Sequence, residues 1–227
     1  MSENRAAYAA NLPEAYDQRR AGHGIRIDPV PTMGFRLDLT IRALEWCWSS
    51  QGDTVPRTLL DVGAGVGNVG QRGMHHVERG DIGGFTYHAI EQTDAMAAHI
   101  QRRVPTATVG LWRFDPNGKG LRETLEQSSN VFEQHYAVAL VSHVLEHVED
   151  QYAFLDHVVD MIRPGGFLLV CAAKRAPQRV HFREYDLDKL AAVVSEYGSW
   201  YVPLQVWQTD YWADYLLAVQ KPILERG

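Results

Sequence analysis

Three observations predict an α/β fold built on a mostly parallel sheet. From about residue 56 short apolar runs alternate with helical stretches, a glycine-rich turn follows the first run directly, and the chain closes in two strand-like segments joined by a short polar link. The 227 residues are enough for one domain of the larger sort. With 45% hydrophobic and 22% charged residues, the composition is globular and carries enough apolar material for a sizeable core.

The front segment, residues 1–55, reads as a helical cap or lid ahead of a main domain spanning 56–227. Within it Leu37, Ile41, Leu44 and Trp48 recur at helical spacing and predict an amphipathic helix packed on the sheet, ended by the QGDTVP stretch. Residues 20–34, with three Gly and two Pro, read as a loop over a site. The runs TLLDV (58–62), FTYHAIE (85–91), AVALVS (137–142) and FLLVCAA (167–173) have the apolar continuity of buried parallel strands. Between the last two, Phe154, Leu155, Val158, Val159 and Ile162 keep helical spacing until Arg163-Pro164-Gly165-Gly166 stops the helix and turns the chain. SWYVPLQVW (199–207) and YLLAVQKP (215–222) form the closing hairpin, which places an antiparallel strand at the edge.

Composition also excludes. A formal net charge of −6 argues against a polyanionic partner for the whole surface, so nucleic acid is the lesser expectation. The Phe167–Ala173 run is far short of the roughly 20 residues that span a bilayer, and no apolar stretch follows a basic start at the N-terminus, which predicts neither a membrane association nor secretion. Cys47 and Cys171 lie in apolar surroundings without CxxC spacing, as buried thiols in a reducing cytoplasm would.

LLDVGAGVGNVG, residues 59–70, sets four glycines between a strand and a helical stretch, where backbone can approach a ligand closely. Gly65 to Gly70 spells GxGxxG and Glu91 follows Gly70 by 21 residues, which alone would admit a dinucleotide. Asp61 decides against it. A carboxylate two residues before Gly63 repels a pyrophosphate and suits a ligand with an ammonium group there. Glu91, ending its strand, is placed to accept from both hydroxyls of a ribose, and Asp115, 24 residues on, from an adenine amino group.

With DVGAGVG, AIE, VSHVLEHVED, the IRPGGFLLV turn and strand, and a tail ending LLAVQKP, the sequence resembles the class I S-adenosylmethionine-dependent methyltransferases over roughly residues 55–221. The resemblance implies a Rossmann-like three-layer αβα sandwich whose seven-stranded sheet has the order 3-2-1-4-5-7-6, strand 7 antiparallel, with S-adenosyl-L-methionine across the strand tips. It implies that Asp61, Gly63 and Gly65 meet the methionine and ribose end, Glu91 the ribose hydroxyls, Gln92 the adenosine, and Phe114 with Asp115 the adenine. Ser142 and His143 would then line the pocket near the sulfonium. Two features depart from the pattern: Tyr136-Ala137 stands where an acid often begins the fourth strand, and a long polar stretch separates Asp115 from Tyr136.

Methyl transfer is an in-line displacement, so the protein chiefly positions the partners and supplies a base only if the nucleophile starts protonated. His143 and His147 are the candidate catalytic bases, since imidazole titrates near neutrality. His143, Glu146 and His147 are expected on one helix face. With His181 from the loop after the neighbouring strand they form a candidate divalent-metal set, similar to the ExxEH sites of related O-methyltransferases with His143 replacing the first Glu. The expected acceptor is an oxygen or nitrogen of a small molecule. Two other readings remain: RNA 2′-O-methylation, with Lys174, Arg175, Arg179, His181 and Arg183 as a phosphate track, and a protein that binds the cofactor without turnover.

Overall fold

The structure, a computed structural model, describes residues 31–112, 135–174, 183–209 and 212–223. Side chains are described for 37–112, 135–172, 183–199 and 216–223. In chain order the elements are α1 (Pro31–Ser49), β1 (Thr58–Val62), α2 (Asn68–Glu78), β2 (Thr86–Glu91), α3 (Asp94–Arg103), β3 (Thr108–Leu111), β4 (Tyr136–Ser142), α4 (Gln151–Asp160), β5 (Ile162–Lys174), α5 (Leu187–Val194), β6 (Ser199–Thr209) and β7 (Trp212–Gln220). A 3-10 turn at Leu145–His147 follows β4, and another at Ser195–Tyr197 follows α5.

Seven strands lie in the order β3-β2-β1-β4-β5-β7-β6, and β7 runs antiparallel to both β5 and β6. The sheet implied by the family resemblance is thus the one observed. The residue-level expectation of an antiparallel strand at the edge is corrected: β7 is interior and β6 takes the edge. One beginning is also corrected, since α1 starts at Pro31 inside the stretch read as loop.

Period-two alternation along the buried strands sends neighbouring residues to opposite faces. Leu59, Tyr87 and Ala89 join one core with Ile41, Leu44, Cys47 and Trp48 of α1, Val69 of α2 and Ile100 of α3. Leu60, Val62 and Ile90 join the other with Phe154, Leu155 and Val158 of α4 and Leu190, Val193 and Val194 of α5. Three layers result, with α1 inside the helical layer over β4 and β5. Its docking is fixed at the surface by Arg72 of α2, which grips Asp38 with both ends of its fork at 2.6 and 2.8 Å, and by His76, whose Nε2 lies 2.9 Å from the same carboxylate. The Arg72 hydrogen bond holds the Asp38 pKa down at about 2 despite the opposing effect of burial.

Helix α4 ends at Asp160, before the stop expected at Arg163–Gly166, because Ile162 already pairs with Tyr136 as the first residue of β5. Gly165 adopts φ 74°, and the register jumps there from Tyr136↔Ile162 to Val138↔Phe167 as β5 settles against β4. Both cysteines are buried and unbridged. Among the described residues no helix is long and apolar enough to cross a membrane.

Candidate functional site

Asp61 and Glu91 end adjacent parallel strands, with Asp61 opposite Ala89 in the β1–β2 register. The glycine turn between β1 and α2 needs its glycines for two distinct reasons. Gly63, Gly65 and Gly67 have φ of 73°, 61° and 74°, a region L side chains rarely adopt. At Gly63 space is also missing, since an added Cβ would sit 2.5 Å from Val144 Cγ2, just beyond the tip of β4. Gly70 serves packing: a Cβ there would lie 2.3 Å from Tyr87 Cε1, so its absence lets the Tyr87 ring slide under the first turn of α2.

Backbone amides fix the Glu91 carboxylate, Oε1 accepting from Gly65 N–H and Oε2 from Gln92 N–H at 3.0 Å. A carboxylate held by two amides at a strand end is a group of the kind that accepts from a diol. Asp61 is almost completely buried, and Tyr87 OH donates to its Oδ2 at 2.8 Å. Burial raises the Asp61 pKa to about 7, and the phenol hydrogen bond works in the other direction. The same burial, with the Asp61 charge beside it, drives the Tyr87 phenol well above its ordinary range. From α3, Arg103 Nη1 donates to Val66 O at 2.7 Å and to Asn68 Oδ1 at 2.8 Å, while Nη2 reaches Gln71 Oε1. The turn is therefore clipped from the neighbouring helix as well.

Beyond β4 the geometry differs from expectation. His143 has φ 57°, the single non-glycine residue with positive φ among the described residues, and its N–H donates to Cys171 O at 2.8 Å. That conformation interrupts the chain before the Leu145–His147 3-10 turn, so His143, Glu146 and His147 do not share a helix face. His143 Nε2 instead lies 3.7 Å from Cys171 Sγ and Nδ1 lies 3.6 Å from the Oε1 of buried Glu146. Burial works to keep this imidazole neutral, but the Cys171 sulfur and the Glu146 carboxylate outweigh it and raise its pKa to about 10. Among the described residues no three His, Cys, Asp or Glu side chains are close enough to hold an ion, and His181 lies outside the described residues. Phe114 and Asp115 lie outside them too, as do Arg175 and Arg179 of the basic stretch. Arg183 is described, and its Nη2 donates to Glu149 O.

Sequence reasoning missed Tyr87, Arg103 and the part played by Cys171. The spacing of glycines signalled the turn but not what lies beneath it. Cys171 pairs with Ser142 in the β4–β5 register, a neighbourhood that appears only once the sheet is ordered.

A family model described as "Methyltransferase domain" matches residues 34–205. The ubiquinone biosynthesis O-methyltransferase of Rickettsia typhi is 26% identical over 154 residues, covering 66% of this chain. The chain spans about half the length of that curated relative, 56%. Among solved structures, the DszA carbon methyltransferase superposes with a TM-score of 0.66 at 15% identity over 97% of this chain and 61% of that one. Magnesium protoporphyrin IX methyltransferase from Synechocystis PCC 6803, with bound S-adenosylmethionine, gives 0.59 at 15% identity over 97% and 98%. N-methyltransferase NodS from Bradyrhizobium japonicum WM9 gives 0.56 at 16% identity over 82% and 97%. At these identities the superpositions establish a shared fold, and the family match covers most of the chain, from α1 through the glycine turn and β1 to β5 into β6. The chain therefore belongs to the class I S-adenosylmethionine-dependent methyltransferase family.

Proposed function

We propose that this chain transfers the methyl group of S-adenosylmethionine to an oxygen or nitrogen of a small-molecule acceptor bound at the tips of β4 and β5. The observation that carries the reading is the Glu91 carboxylate, pinned by Gly65 N–H at the end of β2 beside a turn of positive-φ glycines, with the Asp61 carboxylate buried next to it. A diol acceptor and a buried anion side by side suit a ribose and an ammonium, and they disfavour a pyrophosphate. The residues fit the cofactor on that ground: Gly65, with open space where a Cβ would stand, leaves room for it, Gly63 supplies the turn, Glu91 takes the ribose hydroxyls, Asp61 the amino-acid end, and Gln92 the adenosine. When bound, the cofactor supplies an electrophilic methyl on a sulfonium.

The chain's own part is to orient and to handle one proton. Ser142 lies where the transferable methyl and the acceptor meet. His143, set between the Cys171 sulfur and the Glu146 carboxylate, would in its protonated form favour an anionic acceptor oxygen. His147, on the 3-10 turn, is left as the proton acceptor for a nucleophile that arrives protonated. The names of the Rickettsia typhi relative and of NodS, an O- and an N-methyltransferase, support an acceptor of this class.

Thermal shift against S-adenosylhomocysteine and NAD, followed by transfer of labelled methyl to a panel of phenols, carboxylates, amines and RNA, tests the reading. Stabilisation by S-adenosylhomocysteine with label on a small molecule is the expected result. Stabilisation by NAD alone would overturn the cofactor assignment, and labelling of RNA alone would overturn the acceptor class.

A further inference from the structure

We propose that Tyr87 is a positioning residue for cofactor binding, its phenol holding the Asp61 carboxylate on the ammonium of the cofactor's amino-acid end. This rests on the function proposed above. Strand alternation brings the two groups together, because Asp61 and Tyr87 lie on the same face of neighbouring parallel strands. Their contact is a 2.8 Å hydrogen bond from Tyr87 OH to Asp61 Oδ2, with Tyr87 1% and Asp61 2% exposed.

The phenol is itself held. Its ring occupies the space a Cβ on Gly70, at the start of α2, would fill. The helix thus wedges the ring and the ring's hydroxyl holds the carboxylate, with all three residues buried. Tyr87 engages Oδ2, which leaves Oδ1 to meet the ammonium. Fixing Oδ2 leaves the carboxylate only one rotameric choice, so a charge that would otherwise rotate in a cramped site is aimed before the ligand arrives. The hydroxyl also offsets part of the burial penalty on the ionised carboxylate that an ammonium requires.

Gly70 appeared in the sequence as the last glycine of a GxGxxG string, where it suggested a phosphate. In this fold it makes room for an aromatic ring whose hydroxyl serves an acid one strand away. The same sequence letters therefore carry a different chemistry.

Tyr87→Phe keeps the ring under α2 and removes only the hydroxyl, so its packing role is preserved. The experiment compares calorimetric binding of S-adenosylhomocysteine with that of 5′-methylthioadenosine, which has the nucleoside but neither ammonium nor carboxylate. Wild type, Tyr87→Phe, Asp61→Asn and the double variant are measured. Tyr87→Phe is expected to weaken S-adenosylhomocysteine about tenfold while shifting methylthioadenosine less than about twofold, the loss of one hydrogen bond to a charged group. Adding it to Asp61→Asn should cost nothing further, since the two act as one unit. Equal weakening of both ligands by Tyr87→Phe, or full additivity in the double variant, would overturn the proposal and leave Tyr87 a packing residue. Failure of the wild type to bind S-adenosylhomocysteine would instead bring down the cofactor reading, and the proposal with it.

Discussion

At the tips of β1 and β2 the acids are held by backbone amides and a buried phenol, whereas at the tips of β4 and β5 the polar side chains hold one another. Glu91 is tied to Gly65 N–H and Gln92 N–H, while His143 lies between the Cys171 sulfur and the Glu146 carboxylate. The first end has its shape set before any ligand arrives, as recognition of a fixed nucleoside needs. The second end depends on protonation states and on a residue at φ 57°, a conformation that costs about 1–3 kcal/mol outside glycine and persists only where the surroundings enforce it. On the function proposed above, rigid recognition and adjustable chemistry fall on opposite halves of one sheet edge.

Breaking the rigid half should give the largest effect. Asp61→Ala is expected to weaken S-adenosylhomocysteine by about 100-fold, or roughly 3 kcal/mol, as measured by calorimetry. Wild-type affinity within tenfold of the variant would show that the buried acid does not meet the ligand. Next comes the place where the halves touch. Gly63→Ala must accommodate both φ 73° and a Cβ 2.5 Å from Val144 Cγ2, so chemical denaturation should show about 2–3 kcal/mol of lost stability. Gly65→Ala, equally positive in φ but with open space around its Cβ, should lose only about half as much.

The two halves should also separate along the pH axis. Asp61, faced by Tyr87 and Glu91 of β2 with Arg103 near the phenol, has its pKa raised from 3.8 to about 7 in the folded chain. The folded state then holds more protons than the unfolded state in that window, so its stabilising share is lost as pH rises from 3.8 through about 7. S-adenosylhomocysteine, which needs the ionised carboxylate, should bind more tightly over the same rise, and a flat binding profile between pH 6 and 8 would contradict this. His143, raised from 6.5 to about 10, contributes stability that is complete below 6.5 and lost as pH rises through about 10. Cys171→Ala should shrink that alkaline loss and lower the imidazole midpoint seen by NMR. The smallest effect is expected far from both ends. Breaking the half-exposed Arg57–Glu45 pair by Arg57→Ala should cost no more than about 1 kcal/mol and leave binding unchanged.

The contrast also explains which features the sequence displayed. Glycine spacing dictates backbone shape directly, so the turn from Gly63 to Gly70 and the strand ends at Asp61 and Glu91 could be placed from local chemistry, whereas α4 stops at Asp160, ahead of Gly165-Gly166. The four residues of β3, Thr-Val-Gly-Leu, are too short for alternation to show, and they entered only through the family resemblance. The polar cluster near β4 was misread for a related reason. A spacing of three and four suggests a helix face, but a positive φ at His143 has no local signature, and its sulfur partner comes from 28 residues downstream on another strand. Tyr87 was hidden in an apolar run, because an aromatic residue in a buried strand is ordinarily core, as its ring indeed is.

The docking of α1 has a consequence for the order of events at the ribosome. Ile41, Leu44, Cys47 and Trp48 emerge early, yet the surface that buries them includes Ala137, Val138 and Leu140 of β4 and Phe167 and Leu169 of β5. At about 5–20 residues per second, the roughly 125 residues between Ser49 and Lys174 take on the order of 6–25 s to synthesise. Throughout that interval α1 has no completed sheet to pack on, so its apolar stripe must stay in solvent or be shielded by a chaperone. Nascent chains arrested before β5 should therefore be cut by protease within residues 31–49, and chains arrested after β7 should resist.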